Sequence, residues 1–439
     1  MGLIPSTLGN LSGLTYLNSR SNRLTGGFPS LQGLSSIRFL ELGQNSLTGR
    51  IPSWLGNLSS LTVIDLQKNG LHGHIPESLG HLKLLTVLSL SFNKLVGSIP
   101  TSLGNLHALI EIDIDNNHLE GSIAPSIFNI SSLEIFNVQN NNLNGYFLPD
   151  LGRKLPKLKL FLVNGNGFHG EIPPSLCNTS VIQMIQMDAN FLSGTIPNCF
   201  GIQSNLLEFT FADNQLEATN DGAWSFLSGL TNCSNLKYLD VSQNKLHGKL
   251  PDLIGNLSKN LFYLNLQFCS ITGNIPESIG NLIGLSEFGM NNNLLEGSVP
   301  SSIGSLKLLN QLDLSNNNLS GPIPVTLGNL TMLALLRLNG NAINEGIPSN
   351  LSSCPLGFLD LSHNSLTGAI PKALFLISTL SDSLCLDHNL LTGTIPPEVS
   401  NLRNLGKLDF SSNKMSGEIP ISIGNCQNLQ YLNKTTTTT

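Results

Sequence analysis

The sequence predicts an α/β-type solenoid, a right-handed superhelix with a parallel β-sheet on its concave face and short 3-10 or loop segments on its convex face. Three observations predict this fold. The pattern LxLxxNxLxGxIP recurs from one end of the 439 residues to the other. Its asparagine returns every 23 to 25 residues, with one interval of 30. Charged residues are 11% of the chain, against about 25% in an ordinary globular protein, and Asn, Gly, Ser and Leu replace them.

The asparagine of the pattern is the clearest marker of the repeat. Seventeen positions are in phase, and Cys269 fills the slot in one of them. The asparagines stand at 22, 45, 69, 93, 117, 141, 166, 190, 214, 244, 293, 317, 341, 364, 389 and 413. Self-similarity at a fixed period of this length is typical of solenoids, which grow by adding units to one body.

Each part of the unit has a physical role. Leu312 and Leu314 should point into the core and Asp313 outward, because side chains alternate along a strand. Asn317 then turns inward, where its amide can satisfy backbone groups that the turning chain leaves unpaired. Gly321 permits a backbone conformation that other residues avoid, and Pro324 stiffens the return segment.

The 24-residue period and the LxGxIP segment resemble the plant-specific class of leucine-rich repeats, as in 318–324 and 56–61. The elongated repeat at 216–233 and the run 371–380 are similar to a subfamily of receptor-like kinases that is expanded in grasses and includes bacterial-pattern immune receptors. This resemblance implies a leucine-rich-repeat superhelix that recognises an extracellular ligand and engages a co-receptor with a smaller leucine-rich-repeat ectodomain. Such receptors also carry a signal peptide, a cysteine-containing cap, a membrane helix and a cytoplasmic kinase.

We expect one domain, a solenoid of about 17 repeats over 1–433, followed by an off-pattern threonine tail at 434–439. Gly2 to Pro5 match GxIP, so the chain begins within a unit. The next asparagine after 413 should fall at 437, which is a threonine. Because stacked repeats need polar capping units, we expect an uncapped segment of a longer protein.

The composition disfavours several classes of function. The net charge is −6 and no basic stretch suggests nucleic-acid binding. No apolar run is long enough to span a membrane, and no signal peptide is visible. We expect the parent protein to lie at the extracellular face of the plasma membrane, held there by parts that this chain does not include. No nucleophile elbow, HExxH or phosphate-binding loop occurs, so we expect neither an enzyme nor a cofactor.

Seven cysteines and a histidine pair are the remaining chemical groups of note. Without a CxxC pair, a zinc site is not predicted. Cys177 and Cys199 lie about one coil apart and could be bridged, whereas Cys385 should point outward from its strand and could be reactive. His363 and His388 share a slot in consecutive repeats, and with Asp360 and Asp387 nearby they could bind a metal or sense acidic pH. Because no third ligand is evident, we predict no metal site.

Two patches on the concave face are predicted to bind the ligand. The first holds aromatic residues in two consecutive repeats, Tyr238, Tyr263 and Phe268, together with Asp240. Aromatic anchors in a polar surround favour binding hot spots.

The second patch is acidic and would suit a basic peptide. It holds Glu111, Asp113 and Asp115 in one coil, with Asp65 two coils earlier. An aspartate in this outward slot recurs through the repeats, so a structural role for these carboxylates is the competing interpretation.

Ten N-x-S/T sequons occur, and a secreted solenoid would carry glycans at several of them. The repeat consensus GNLS or GNLT produces sequons by itself, and seven of the ten lie in one phase of the repeat. We take nine as candidate glycosylation sites: Asn10, Asn57, Asn129, Asn178, Asn232, Asn256, Asn318, Asn329 and Asn350. The tenth is Asn433.

The favoured interpretation is therefore the ligand-recognition module of a plant receptor-like kinase, which binds a peptide or microbial protein in immune or developmental signalling. Two alternatives remain open: a secreted inhibitor of a microbial wall-degrading enzyme, and a truncated remnant without independent function. Inhibition of a polygalacturonase would favour the first. An ice-binding solenoid would need regular threonine or serine arrays, which the mixed outward slots do not provide.

Overall fold

The computed structural model describes residues 2–201, 203, 205–218 and 224–435. Part of the elongated repeat, 219–223, and most of the threonine tail, 436–439, lie outside the described residues. The chain forms two compact units, Met1–Leu216 and Glu217–Thr439. The boundary falls within the elongated repeat, and each unit is described separately.

In the Met1–Leu216 unit, one short strand of each repeat belongs to a parallel series in which neighbours pair in register. This first strand series consists of Tyr16–Asn18, Phe39–Glu41, Val63–Asp65, Val87–Ser89, Glu111–Asp113, Ile135–Asn137, Leu160–Leu162, Met184–Gln186 and Glu208–Thr210. The surface formed by the outward side chains of this series, and of its counterpart in the other unit, is called the strand face below.

Further elements complete each repeat of this unit. A second parallel series consists of Gly2–Leu3, Leu24–Gly26, Ser46–Gly49, Gly70–Gly73, Lys94–Gly97, His118–Ser122, Asn142–Gly145, Gly167–Glu171, Phe191–Gly194 and Gln215–Leu216. The 3-10 helices are Ser6–Asn10, Ser53–Asn57, Glu77–His81, Thr101–Asn105, Ile127–Asn129 and Pro174–Asn178, and Leu151–Lys154 is α-helical.

The Glu217–Thr439 unit is built in the same way. Its first strand series consists of Tyr238–Asp240, Tyr263–Asn265, Glu287–Gly289, Gln311–Asp313, Leu335–Arg337, Phe358–Asp360, Ser383–Cys385, Lys407–Asp409 and Tyr431–Asn433. Its second series consists of Thr272–Gly273, Leu294–Gly297, Asn318–Gly321, Ala342–Ile343, Thr367–Ala369 and Leu390–Thr392. The helices are the α-helix Phe226–Leu230 and the 3-10 helices Asp252–Asn256, Glu277–Asn281, Ser301–Ser305, Val325–Asn329, Ser349–Ser353, Lys372–Leu376, Pro397–Asn401 and Ile421–Asn425.

The alternation along each strand separates core from surface as predicted. Leu312 and Leu314 are fully buried, whereas Asp313 between them reaches the strand face. The backbone of each strand pairs with the next coil, so its polar groups are satisfied while its leucines share one core. The predicted solenoid of parallel strands and short 3-10 segments is confirmed.

The asparagine ladder is also confirmed. The Asn317 amide donates to the carbonyls of Met290, Leu314 and Ser315 over 3.0, 3.2 and 3.2 Å. Its Oδ1 accepts a 3.1 Å hydrogen bond from the Leu295 amide. One side chain thus satisfies four backbone groups in two adjacent coils, which explains why the slot recurs.

Cys269 fills the ladder slot with fewer hydrogen bonds. Its thiol donates to the carbonyls of Val241 and Gln267 over 3.2 and 3.4 Å. The backbone N–H of Cys269 donates 3.0 Å to Asn293 Oδ1, so the next ladder asparagine serves this coil as well.

The turns after the strands need unusual backbone conformations. Asn316, which precedes the ladder residue, has a φ of 53°, in the left-handed region that Asn tolerates better than most side chains. Gly321 has a φ of 74°, as its predicted role requires. Pro324 then caps the 3-10 helix Val325–Asn329.

The described part of the elongated repeat packs onto the next coil. Trp224 is buried and its indole N–H donates to the His247 carbonyl over 3.2 Å. Its ring lies 5.9 Å from that of Phe226, in the helix Phe226–Leu230. These contacts anchor Trp224 against the following coil.

Candidate functional site

The repeated aspartates of the strand face have a structural role. Asp313 Oδ1 accepts hydrogen bonds from the amide and hydroxyl of Ser315, over 3.0 and 2.6 Å. Asp360 and Asp409 hold the serine two residues later in the same way. These carboxylates therefore cap the turn after the strand, which bears out the structural interpretation for these three.

The aromatic patch is continuous across two neighbouring strands. The ring of Tyr238 lies 6.3 Å from that of Tyr263 and 5.9 Å from that of Phe262, the residue that precedes Tyr263 in the next coil. Tyr238 is 37% exposed, so the patch offers an accessible aromatic surface. The register that pairs Tyr238 with Tyr263 brings the two rings together.

Hydrogen bonds fix the polar side of this patch. Tyr263 donates from its hydroxyl to Asp240 Oδ2 over 3.2 Å. The Asn265 amide contacts the same oxygen at 3.2 Å and the Tyr263 hydroxyl at 3.0 Å. Burial and then the negative charge of Asp240 raise the pKa of Tyr263 to about 12, so its hydroxyl stays protonated and can donate.

Phe268 does not join the two tyrosines. It stands in the left-handed position of the turn, with a φ of 52°, and is 51% exposed. Within the described residues no ring contact links it to Tyr238 or Tyr263. Phe268 is therefore a separate exposed aromatic group.

A polar pit beside the aromatic patch is a feature that the sequence analysis missed. Gly289 occupies an outward strand position, where a Cβ atom would come within 3.1 Å of Asn265 Oδ1. The missing side chain leaves a cavity of about 180 Å³. Tyr263 and Asn265 line this cavity as well as the aromatic patch. The sequence signal for this cavity is Gly289 itself, because other coils fill the same slot with a larger side chain.

Arg337 closes the far side of the pit. Its guanidinium lies 3.5 Å from Asp313 Oδ2 and 4.7 Å from the ring centroid of Phe358. The guanidinium is thus held between a carboxylate and an aromatic face, an arrangement that keeps a flexible side chain in place. The pit therefore presents a fixed positive group beside amides and carboxylates.

The acidic patch in the Met1–Leu216 unit is brought together as the sequence suggests. Burial raises the pKa of Asp113 to about 7, with the neighbouring Asp115 charge as the second cause. Burial and then Asp65 also raise the pKa of Glu111. Asn137 donates to Asp113 Oδ1 over 2.9 Å, and Asn116 donates to Asp115 Oδ2. Crowded carboxylates of this kind favour a proton or a cationic partner.

Asp65 is less available than Glu111 or Asp113. It is 6% exposed, and Arg20 NH1 lies 3.3 Å from its Oδ2. The Asp65 carboxylate also accepts a 3.1 Å hydrogen bond from the Gln67 amide. An internal cation therefore already offsets the Asp65 charge. Asp115 is also only 6% exposed, which leaves the half-buried Glu111 and Asp113 as the more open part of the patch.

The candidate glycosylation sites are accessible. All nine of the asparagines taken as candidates are exposed. Asn433, the tenth sequon, is only partly exposed, and its amide donates to the Tyr431 hydroxyl over 3.2 Å. None of the nine stands in the first strand series, so glycans at these positions would begin away from it.

The cysteines follow the sequence analysis with one correction. Cys177 and Cys199 form a disulfide, with Cα atoms 5.6 Å apart. Cys385 occupies the outward slot of the strand Ser383–Cys385, in register with Asp360 and Asp409, but its side chain is buried, so the expectation that it could be reactive is wrong. Burial raises the pKa of the Cys385 thiol to about 11, which disfavours the reactive thiolate.

The histidine pair contacts Asp387, one of the two aspartates that the sequence places nearby. His363 and His388 stack with ring centroids 4.1 Å apart and planes at 11°. The Asp387 carboxylate lies against both rings. Asp387, named from the sequence only as a nearby residue, is therefore the third candidate ligand that the sequence left without assignment. Among the residues that the structure describes, no helix is both long and apolar enough to cross a bilayer.

Comparison with known proteins matches these features to one family. The leucine-rich-repeat family models match residues 59–119 and six further segments: 36–58, 235–257, 260–282, 308–330, 356–376 and 404–426. The solved structure of the plant peptide hormone receptor RGFR1 in complex with RGF2 is 34% identical, with a TM-score of 0.91 over 99% of this chain and 68% of that one. The chain belongs to the ectodomains of plant leucine-rich-repeat receptor kinases.

Other members of the family match in part. A receptor-like protein kinase of Arabidopsis thaliana is 50% identical over 54 residues, which is 12% of this chain and 5% of that protein. The receptor kinase-like protein Xa21 of Oryza sativa subsp. japonica is 41% identical over 63 residues, or 14% and 6%. The Arabidopsis receptor kinase HAESA, solved with the peptide hormone IDA and the co-receptor SERK1, is 29% identical, with a TM-score of 0.74 over 98% of this chain and 79% of that one.

Proposed function

We propose that this ectodomain segment recognises a peptide or protein ligand on the strand face of the Glu217–Thr439 unit, in immune or developmental signalling. This proposal rests on the continuous surface that Tyr238, Asp240 and Tyr263 form together with the pit at Gly289. It combines an exposed aromatic area with polar groups whose positions are fixed before a ligand arrives. Preorganised aromatic anchors beside a polar pocket are what strong interface contacts require.

The preferred ligand is an extended peptide. Neighbouring coils repeat the same slots along the strand face, so a chain lying across them meets one side-chain group per coil. An aromatic or aliphatic ligand side chain would lie against Tyr238, and a polar one would enter the pit beside Arg337. The solved complexes of RGFR1 with RGF2 and of HAESA with IDA support a ligand of this class.

The acidic patch is proposed as a second contact, for a basic segment of a ligand. Glu111, Asp113 and Asp115 crowd three carboxyl groups together in the Met1–Leu216 unit, and a cationic partner would stabilise their ionised forms. Opposite charges across an interface mainly raise the association rate and the specificity, and salt weakens them. The substitutions Asp113→Asn and Asp115→Asn should therefore reduce the salt dependence of binding; an unchanged salt dependence contradicts this contact.

We also propose that the protein engages a co-receptor with a smaller leucine-rich-repeat ectodomain. We place it at the extracellular face of the plasma membrane, as part of a longer receptor. We propose no catalytic activity for this chain itself. The HAESA complex, which contains SERK1 as well as the hormone, supports the co-receptor. A sedimentation experiment with the SERK1 ectodomain tests it. A complex that forms only with an enriched peptide present supports the proposal, and no complex under either condition contradicts it.

The experiment for ligand recognition starts from a display library of random 15-residue peptides, because the natural ligand is unidentified. The glycosylated chain selects peptides, and hydroxyl-radical footprinting then locates the bound peptide. We expect a fall in oxidation of Tyr238 and Tyr263 on binding. Tyr146, which is 71% exposed and lies outside the first strand series, is the internal control. Failure to enrich any peptide, or protection of Tyr146 alone, contradicts the proposal.

A further inference from the structure

A cluster of two histidines and one aspartate stands on the strand side of consecutive coils in the Glu217–Thr439 unit. Within the described residues it is the one group of at least three His, Cys, Asp or Glu side chains whose donor atoms all lie within 4.8 Å of one another. Asp387 Oδ2 lies 2.9 Å from His388 Nδ1 and 3.7 Å from His363 Nε2. The ring stacking therefore accompanies a shared contact with one carboxylate.

The backbone holds these three side chains in place. His363 and His388 have φ values of 51° and 52°, in the left-handed position of successive turns. The amide of His363 donates to the Asp387 carbonyl over 2.9 Å, and the amide of His388 donates to the Ser411 carbonyl over 3.0 Å. The repeat thus places both imidazoles at equivalent positions of adjacent coils, on a backbone that hydrogen bonds hold in place.

We propose that His363, Asp387 and His388 bind a divalent transition-metal ion, with Zn²⁺ as the favoured ion. Two imidazole nitrogens and one carboxylate oxygen form a donor set that Zn²⁺ accepts at about 2.0–2.2 Å. A tetrahedral ion then needs its donors about 3.3 Å apart, which follows from those bond lengths. The observed donors lie within 4.8 Å, so rotation of the side chains closes the gap.

Exposure makes this adjustment feasible and leaves room for further ligands. The side chains of His363 and His388 are 58% and 51% exposed, whereas that of Asp387 is 14% exposed. The imidazoles are free to turn, and the carboxylate stays fixed beneath them. Three protein ligands leave at least one coordination position of Zn²⁺ open to water or to a group from a bound molecule.

The repeat itself supplies an alternative explanation, because neighbouring coils place any two residues of this slot side by side. Asn292 and Asn316 occupy the same position in other coils, and their amides also meet. The carboxylate beneath the two histidines is what separates the cluster from an accidental pair. Asparagine in the same slot also provides variants that the fold tolerates, namely His363→Asn and His388→Asn.

Isothermal titration of the full chain with ZnCl₂ after treatment with EDTA tests the proposal. We expect one bound ion per chain, and a loss of affinity of at least about tenfold in His363→Asn, His388→Asn and Asp387→Asn, since even residues behind the ligands of a metal site contribute tenfold or more. His247→Asn is the matched control, because His247 is exposed and has a φ of 50°. That variant should bind Zn²⁺ as the unsubstituted chain does.

A second readout uses Cu²⁺ and electron paramagnetic resonance. Two coordinated imidazoles give nitrogen hyperfine structure that a single exposed histidine does not. We expect that structure in the unsubstituted chain and its loss in either histidine variant, with circular dichroism unchanged. No Zn²⁺ binding, or equal affinity in the three variants and the control, overturns the proposal. Peptide binding is measured separately, so this result does not depend on the proposed ligand function.

Discussion

Tyr263 donates a hydrogen bond from its hydroxyl to Asp240 Oδ2, 3.2 Å away in the preceding coil. Asp240 also accepts a 2.9 Å hydrogen bond from the Ser242 amide through its other oxygen. One carboxylate thus has two roles, since it caps its own turn and orients an aromatic ring of the next coil. A repeat-consensus aspartate can therefore contribute to a ligand surface without contacting the ligand itself.

The ladder makes a prediction about stability. Asn117 is buried, donates to the carbonyls of Leu90, Ile114 and Asp115, and accepts from the Leu95 amide. We expect Asn117→Ala to lower the free energy of unfolding by about 3 kcal/mol or more, because several buried backbone groups lose their partner at about 1–3 kcal/mol each. Denaturant unfolding measures this. Asn105→Ala, at an exposed position, should change the value by less than about 0.5 kcal/mol; equal effects in both variants would refute the ladder role.

The acidic patch predicts a dependence of stability on pH. The folded state raises the pKa of Asp113 from 3.8 to about 7, so it holds a proton that the unfolded chain releases. The contribution of the Asp113 carboxyl to the free energy of unfolding is therefore most favourable in acid, and it is lost as the pH rises from about 4 to 7. Asp113→Asn imitates the protonated form. We expect it to stabilise the protein by about 2 kcal/mol at pH 8, after allowance for solvent screening, and to have little effect at pH 4.

Urea unfolding of Asp113→Asn and of the unsubstituted chain, from pH 4 to pH 8, measures this difference. Asp252→Asn removes one exposed carboxylate and controls for the change in net charge. A variant that is less stable than the unsubstituted chain at pH 8 would contradict the assignment of a crowded, partly protonated Asp113.

The disulfide predicts an effect of reduction. Cys177 and Cys199 are 22 residues apart, and a cross-link over a loop of this length should stabilise the fold by about 3 kcal/mol, mainly by restricting the unfolded chain. The double variant Cys177→Ala/Cys199→Ala should show this loss in denaturant unfolding, and a reductant should then have no further effect on it. If a reductant destabilises the double variant as much as the unsubstituted chain, the bond is not the cause.

The exposed sequons predict glycan occupancy. After secretion from a plant or insect host, we expect glycans at several of the nine exposed asparagines and lower occupancy at the partly exposed Asn433. Asn57→Gln should reduce the intact mass by one glycan if that site is occupied. Enzymatic release in ¹⁸O water with peptide mapping identifies the sites. Full occupancy of Asn433 with none at the nine would contradict this expectation.

The repeat determines how much of this structure the sequence could predict. The strands, the ladder and the left-handed turns each follow from one unit, so Asn317 in one coil predicts its counterparts elsewhere. The pairing of Tyr238 with Tyr263 follows as well, because both occupy the same slot in successive coils. Features that depend on spacing within the repeat were therefore within reach of the sequence.

Features that depend on the particular side chains of adjacent coils were not within reach. The pit at Gly289 needs the neighbouring Asn265 and Arg337 to be placed around it. Cys385 is buried although its slot faces outward, and its neighbours Asp360 and Lys407 influence its thiol. Asp387 contacts both histidines through a choice of rotamer that the pattern does not encode. The extent of 1–433 as a single domain stays a prediction.

The affinity of an enriched peptide for Tyr238→Ala/Tyr263→Ala, compared with the unsubstituted chain, tests the central claim most directly. Both substitutions of this double variant truncate outward side chains and leave the buried Leu239 and Leu264 in place, so the fold should persist. We predict a loss of affinity of at least about tenfold, since truncating a hot-spot residue costs about 2 kcal/mol or more. The control Tyr146→Ala should bind as the unsubstituted chain does. Equal affinity in the double variant and the control would contradict recognition at this surface.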